Sequence, residues 1–478
     1  MTTTSKPSIA KPLWGQALAA PAPEFPQTQL QILAGAIPSG LSGTLYRNGP
    51  GRLERGGKRV GHWFDGDGAI LAVKFADGAA SGVYRYVQTQ KYQEESQVDR
   101  WVYGNYGMRP SGNLWERWGK SVGNAANTSV LALPDRLLAL WDGGAPHALD
   151  LDSLDTIGTD DLELDAAPLI YSAHPKVDPV SGHIYNFGIS IGAQPKLNLY
   201  ESDRSGKIIK FTQTKLPRLT TVHDFLMVGK YLVFCINPVE IQPLPILFGL
   251  ASYSDSIRWK PELGTQIMVF DREDLSLVSS FTTEPWYQWH FGNGYVDASG
   301  QIIGDLVRYP DFGTNEFLRE VASGETHTEA IGKLWQLVID PAAGKLVSSD
   351  ILVDRSCEFP LVESDRVGRE WRYTYLAIHK PNAVLHRELV GTIGRFDRQT
   401  NTLTTADLAS HLYPTEPIHV VDRFDANRGW ILTVIYDGEN HQSEVWIFDR
   451  DRLDDSPVCR LGLPSVVPMG FHGTWKSN

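Results

Sequence analysis

One phrase recurs along this chain and limits what it can fold into. It is an alternating apolar strand that ends on aspartate, followed by a turn and another strand. Close copies are Ile267-Met268-Val269-Phe270-Asp271-Arg272, Leu337-Val338-Ile339-Asp340-Pro341, Ile393-Gly394-Arg395-Phe396-Asp397-Arg398 and Val445-Trp446-Ile447-Phe448-Asp449-Arg450. Looser copies are Leu149-Asp150-Leu151-Asp152 and Leu197-Asn198-Leu199-Tyr200 followed by Asp203. Alternation puts one face of each strand toward a core. The aspartate begins the turn, because its side chain accepts a backbone N–H two residues on. The copies lie roughly 50–70 residues apart, against about 40–50 in minimal propeller repeats. Helical periodicity is scarce. The expectation is an all-β chain, a seven-bladed β-propeller with insertions between blades and a loop or helical cap over its top face.

Such a fold accommodates 478 residues in one domain. A formal net charge of −12 excludes a nucleic-acid binder, which needs basic surface to displace counterions. Three scattered cysteines exclude a disulfide scaffold and a thiolate metal cage, and fit a reducing compartment. Residues 1–26 read as a flexible N-terminal arm with a short helical stretch over Trp14–Ala20, leaving 27–478 as the propeller domain. Ala17-Leu18-Ala19-Ala20 resembles a signal-peptidase site, but Pro12, Trp14, Gly15 and Gln16 break the apolar run before it. No run approaches the roughly 18 apolar residues of a membrane-spanning helix. The expected location is cytoplasmic, attached to at most one membrane face. An insertion at about 238–262 is apolar without alternation, and two prolines argue against a central strand. It reads as a loop or short helix. Leu244, Ile246, Leu247, Phe248, Leu250 and Trp259, with Leu13 and Trp14, are candidates for a substrate mouth or one-sided membrane contact; a lid packed on the blades is the other reading.

A propeller also answers a question posed by the histidines. Of thirteen, four have apolar surroundings where an imidazole needs a partner: His174 after Leu169-Ile170-Tyr171, His223 before Asp224-Phe225-Leu226, His290 in Trp289-His290-Phe291, and His472 in Gly470-Phe471-His472. None forms a local metal motif. The innermost strands of separate blades could still bring them to one ion on the axis. The other nine read as ordinary polar residues, although His147 and His419 lie close to carboxylate motifs.

The chain resembles the carotenoid cleavage oxygenase family, in particular its microbial apocarotenoid oxygenases. The resemblance rests on Gly43-Thr44-Leu45-Tyr46-Arg47-Asn48-Gly49-Pro50-Gly51, Trp63-Phe64-Asp65-Gly66-Asp67-Gly68, Ala126-Asn127-Thr128 through Leu138-Ala139-Leu140-Trp141, Cys357-Glu358-Phe359-Pro360, Thr415-Glu416-Pro417-Ile418 and Phe471-His472-Gly473-Thr474-Trp475. It implies Fe(II) on the axis of a seven-bladed propeller, held by His174, His223, His290 and His472. It also implies that Asp142, Glu358 and Glu416 accept hydrogen bonds from those imidazoles. Asp142 stands where the family usually has Glu, so its contact is expected to need a shifted backbone or a bridging water. Thr128 matches a threonine whose methyl crowds an iron position.

The resemblance implies oxidative cleavage of one C=C bond of a carotenoid or apocarotenoid with O2, at the 9,10 or the 15,15′ position, with both oxygen atoms entering the products. The peripheral membrane is an expected partner, since polyenes partition into bilayers. Imidazole suits ferrous iron and leaves positions open for reactants. The alternatives are a stilbene-cleaving oxygenase of the same family, a non-catalytic propeller scaffold, and a propeller hydrolase, which would need carboxylate or amide ligands on the axis.

Overall fold

The computed structural model describes residues 11–113, 117, 122–164, 168–192 and 194–478. Seven antiparallel sheets follow one another around a ring, each a blade of a β-propeller. The recurring phrase supplies the third strand of blades two to seven. Thr265–Asp271, for example, pairs with Tyr231–Ile236 on one side and Leu277–Thr283 on the other. Its aspartate starts the turn as expected: Asp271 Oδ1 accepts the Glu273 N–H at 2.7 Å, Asp340 Oδ1 the Ala343 N–H at 2.9 Å, and Asp203 Oδ1 the Ser205 N–H at 2.8 Å. Apolar residues of facing sheets form the packing between blades. Where blades three and four meet, Phe225 stacks on Phe234, and Phe187 and Phe270 pack against them edge to face.

Both ends of the chain close the ring. The last strand, Gly473–Ser477, pairs antiparallel with Gly43–Arg52 and becomes the inner strand of blade one. At the other end, Phe25–Gln29 forms the outer strand of blade one, and Gln31–Gly35 that of blade seven.

The segment expected to be a loose arm is built into this closure from its first described residues. Leu13–Leu18 is a 3-10 helix, slightly offset from the expected Trp14–Ala20. Trp14 is fully buried, and its indole N–H donates to the Arg387 carbonyl at 3.0 Å. Trp14 is therefore no membrane residue: its ring fills a slot between the cap and blade seven. Residues 1–10 of the expected arm lie outside the described residues. The insertion at 238–262 is a two-stranded ribbon, Val239–Ile241 against Ile257–Trp259, carrying the helix Pro243–Leu247 at its tip. Leu244, Leu247, Phe248 and Leu250 are exposed, whereas Ile246 and Trp259 are half-buried against the core of blade five. A second helix, Gly313–Val321, and the segment around Tyr106 complete the cap.

Candidate metal centre

The innermost strand of each blade presents its first residues to the axis, and this positions the four histidines. His174 lies two residues before Lys176–Val177, His223 three before Leu226–Val228, His290 within Tyr287–Val296, and His472 immediately before Gly473–Ser477. One nitrogen from each falls within 4.8 Å of all the others. The Nε2 atoms of His174 and His223 are 3.0 Å apart, and those of His290 and His472 are 3.1 Å apart.

Three carboxylates face the outer ring nitrogens. His223 Nδ1 meets Asp142 Oδ2 at 2.6 Å, His290 Nδ1 meets Glu358 Oε2 at 2.6 Å, and His472 Nδ1 meets Glu416 Oε1 at 2.9 Å. The contact of Asp142 is direct and needs no bridging water, and its other oxygen accepts the Ala173 N–H at 2.8 Å. Burial alone would raise both glutamates. Their imidazole partners, the hydrogen bonds and, at Glu416, Arg47 outweigh it and hold both below the ordinary carboxylate range. Burial, then the other three imidazoles, hold His174 well below the ordinary histidine range. Burial also lowers His472 despite Glu416, whereas at His290 Glu358 overcomes it and the shift is upward.

The tautomers follow from these contacts. An ionised carboxylate only accepts, so each imidazole facing one carries its proton on Nδ1. The Nε2 atoms of His290 and His472, and likewise those of His174 and His223, face the same small space on the axis. At such distances paired imidazole nitrogens either share a proton or turn their lone pairs on one cation. The donor set thus suits a divalent transition metal held by neutral imidazole.

Above the four rings lies a cavity of about 330 Å³, lined by Trp63, Phe64, Tyr106, Trp289, Phe359 and Phe471 among others. Thr128 lines it too, with its hydroxyl tied back to Asn127 Oδ1 at 3.2 Å and its carbonyl accepting the His472 N–H at 3.2 Å. The cavity reaches the surface at Val122 and Ile191, both exposed.

Residues 18–477 match the family profile described as retinal pigment epithelial membrane protein. The apocarotenoid-15,15'-oxygenase of Synechocystis sp. is 35% identical over 467 residues, which cover 93% of this chain and 92% of that enzyme. The chain belongs to the carotenoid oxygenase family. Resveratrol cleavage oxygenase 1 of Aspergillus fumigatus is 25% identical, with 94% of this chain and 92% of that one covered. The seven-bladed fold is shared with a solved structure of a cobalt-substituted Synechocystis apocarotenoid oxygenase, at a TM-score of 0.89 and 32% identity, covering 98% of each chain.

Several residues around this carotenoid oxygenase centre escape a reading of the sequence. Arg47, buried, donates from Nη1 to Glu416 Oε2 at 2.9 Å and from Nη2 to the Phe471 carbonyl at 3.0 Å. It lies in the opening motif, but nothing in the motif says which carboxylate it serves 369 residues away. Tyr309 donates its hydroxyl to Glu358 Oε1 at 2.8 Å. Phe359 takes φ +54°, an unusual conformation for a bulky residue, and stacks its ring on His290. The turned backbone lets the Phe359 N–H meet Glu358 Oε2 at 2.7 Å. His147 and His419 lie in blades two and seven, outside the four-histidine group.

Proposed function

We propose that this chain is an oxygenase that cleaves one C=C bond of a carotenoid or apocarotenoid with O2, at Fe(II) held by His174, His223, His290 and His472. The observation that carries the reading is the gathering of one nitrogen from each of four imidazoles within 4.8 Å of one another, beneath an aromatic cavity. When bound, ferrous iron supplies the redox chemistry that brings O2 to an alkene. The chain's own residues do the rest. Asp142, Glu358 and Glu416 fix the tautomer and angle of three imidazoles. Thr128 narrows access beside His472. The aromatic walls hold an extended apolar chain over the centre and exclude water, so that one double bond out of several lies within reach. No general base is needed, because C=C plus O2 gives two carbonyl fragments with every atom accounted for.

The relative named for 15,15' cleavage makes a β-apocarotenal the first substrate to assay, beside a bicyclic carotenoid and resveratrol. The expected outcome is about one iron per chain in protein purified without chelator, aldehyde products from the polyene, and loss of both iron and products in His223→Ala. A scaffold protein would carry no stoichiometric metal. Products from resveratrol alone would select the stilbene branch.

The exposed side chains Leu244, Leu247, Phe248 and Leu250 support a second part of the reading, contact with one leaflet of a membrane. Tyr253, in the same insertion, lines the cavity, so this segment links the exposed apolar side chains to the cavity wall. No helix among the described residues is long and apolar enough to cross a membrane.

A further inference from the structure

Three of the four imidazoles have a carboxylate against Nδ1 within hydrogen-bonding distance; His174 does not. If His174 offers its Nε2 lone pair to the ion, its proton is on Nδ1, and a buried N–H needs an acceptor. The oxygen that faces it is Asp224 Oδ1, at 3.9 Å. That is about 1 Å beyond a charge-assisted hydrogen bond. Asp224 is buried, and Lys176 Nζ holds the same Oδ1 at 2.8 Å. The other oxygen, Oδ2, accepts the Phe291 N–H at 2.8 Å, immediately after His290. Asp224 therefore touches three of the four histidine-bearing segments: it adjoins His223 in sequence, anchors the strand of His290, and faces His174.

We propose that Asp224 is a fourth positioning carboxylate of the metal centre, acting on His174, and that Lys176 is its charge partner. The lysine has a physical reason to be there. Asp142, Glu358 and Glu416, with Arg47 neutralising one of the three, already match the charge of a divalent ion. A fourth, unpaired, would overcompensate it and would be costly to bury. With Lys176 beside it, Asp224 offers an acceptor while adding no net charge. Lys176 and the Phe225 N–H, each at 2.8 Å, also compete for that oxygen, which accounts for the longer His174 contact.

The inference rests on the metal reading above, and the test separates the two. Cobalt(II) is the probe, since a cobalt-substituted relative has been solved. Its dissociation constant is measured by chelator competition and its visible spectrum recorded, alongside the melting of the metal-free protein. In the double variant Asp224→Asn/Lys176→Met no buried charge is left alone, so the metal-free fold is expected to melt within a few degrees of the natural protein. Its cobalt affinity is expected to fall about 10–100-fold, as when an outer partner of a metal-bound histidine is lost, with a changed spectrum. Unchanged affinity and spectrum would overturn the inference. Should the double variant not fold, the single variants decide. Lys176→Met removes one of the two donors on Oδ1, leaves the Phe225 N–H there, and is expected to hold cobalt at least as tightly, whereas Asp224→Asn weakens it. Equal weakening in both would mark a merely structural ion pair and overturn the proposal. Failure of the natural protein to bind cobalt would remove the metal reading itself, and this inference with it.

Discussion

At position 142 a carboxylate and an amide are almost the same size, yet only one of them fits. Asp142 receives two donors, the His223 Nδ1–H at 2.6 Å and the Ala173 N–H at 2.8 Å. An amide accepts with one end and donates with the other, so either orientation sets an NH2 against an N–H. Asp142→Asn is therefore expected to weaken metal binding about tenfold or more, while the metal-free melting temperature falls by only a few degrees. Metal competition and calorimetry on the same preparation check both halves. An unchanged affinity would mean that His223 is held by its packing against Trp289, a ring contact of 5.2 Å, and not by Asp142. The side chain of Asp142 is 36% exposed against 7% for Glu416. This corner of the site is the one where solvent competes hardest.

Single elements were legible in the sequence to the degree that their chemistry is local. The strand–aspartate phrase marks the third strand of six blades because alternation and turn-starting both act within a few residues. Blade one escaped the pattern. There the turn is Asp77-Gly78, with φ of +50° and +73°, so glycine-type backbone geometry closes it in place of a carboxylate cap. The four histidines could be chosen by their apolar neighbours and by the family motifs, but their supports could not be paired. Arg47 with Glu416 and Tyr309 with Glu358 are contacts of the closed ring, and no spacing encodes them. Trp14 was misread because an apolar residue near a chain end looks the same whether it meets lipid or a slot between blades. The helix Pro243–Leu247 stands at the other extreme: no residue of it is buried. Burying a leucine side chain is worth about 1.5–3 kcal/mol, so each one removed from a bilayer lowers partitioning about tenfold or more. Leu244→Glu/Leu247→Glu is expected to release the protein from liposomes at unchanged metal content. Retained binding in a flotation assay would end the membrane reading.

The whole molecule explains why so many distant residues converge. Each blade gives the axis at least one member of the constellation: His472 from blade one, Asp142 from two, His174 from three, His223 from four, His290 from five, Glu358 from six and Glu416 from seven. Integrity of the ring is thus a condition for the site, and pH acts on the ring through groups far from it. Burial pushes His419 and His62 down to about 3. His419 stacks on Tyr375 between blades six and seven, and neither ring nitrogen has a hydrogen-bond partner. Both histidines are neutral in the folded chain. In the unfolded chain each takes a proton near pH 6.5. Their contribution to stability is therefore complete above 6.5 and is lost as pH falls toward 3. The slope is about 1.4 kcal/mol per pH unit for each group. Asp65 acts in the opposite sense, since burial raises it to about 7 and it protonates in the folded chain on the way down. That effect is common to the natural protein and to a His419 variant, and it cancels in their difference. His419→Phe keeps a flat ring against Tyr375 and removes two unpartnered polar atoms. It is expected to match or exceed the natural protein's stability at pH 7.5 and to pull ahead by about 1.4 kcal/mol for each pH unit below 6.5. Urea midpoints between pH 7.5 and 4.5 measure the gap. Parallel curves for the two proteins would show that His419 protonates as readily in the fold as out of it, and that the interface between blades six and seven admits water.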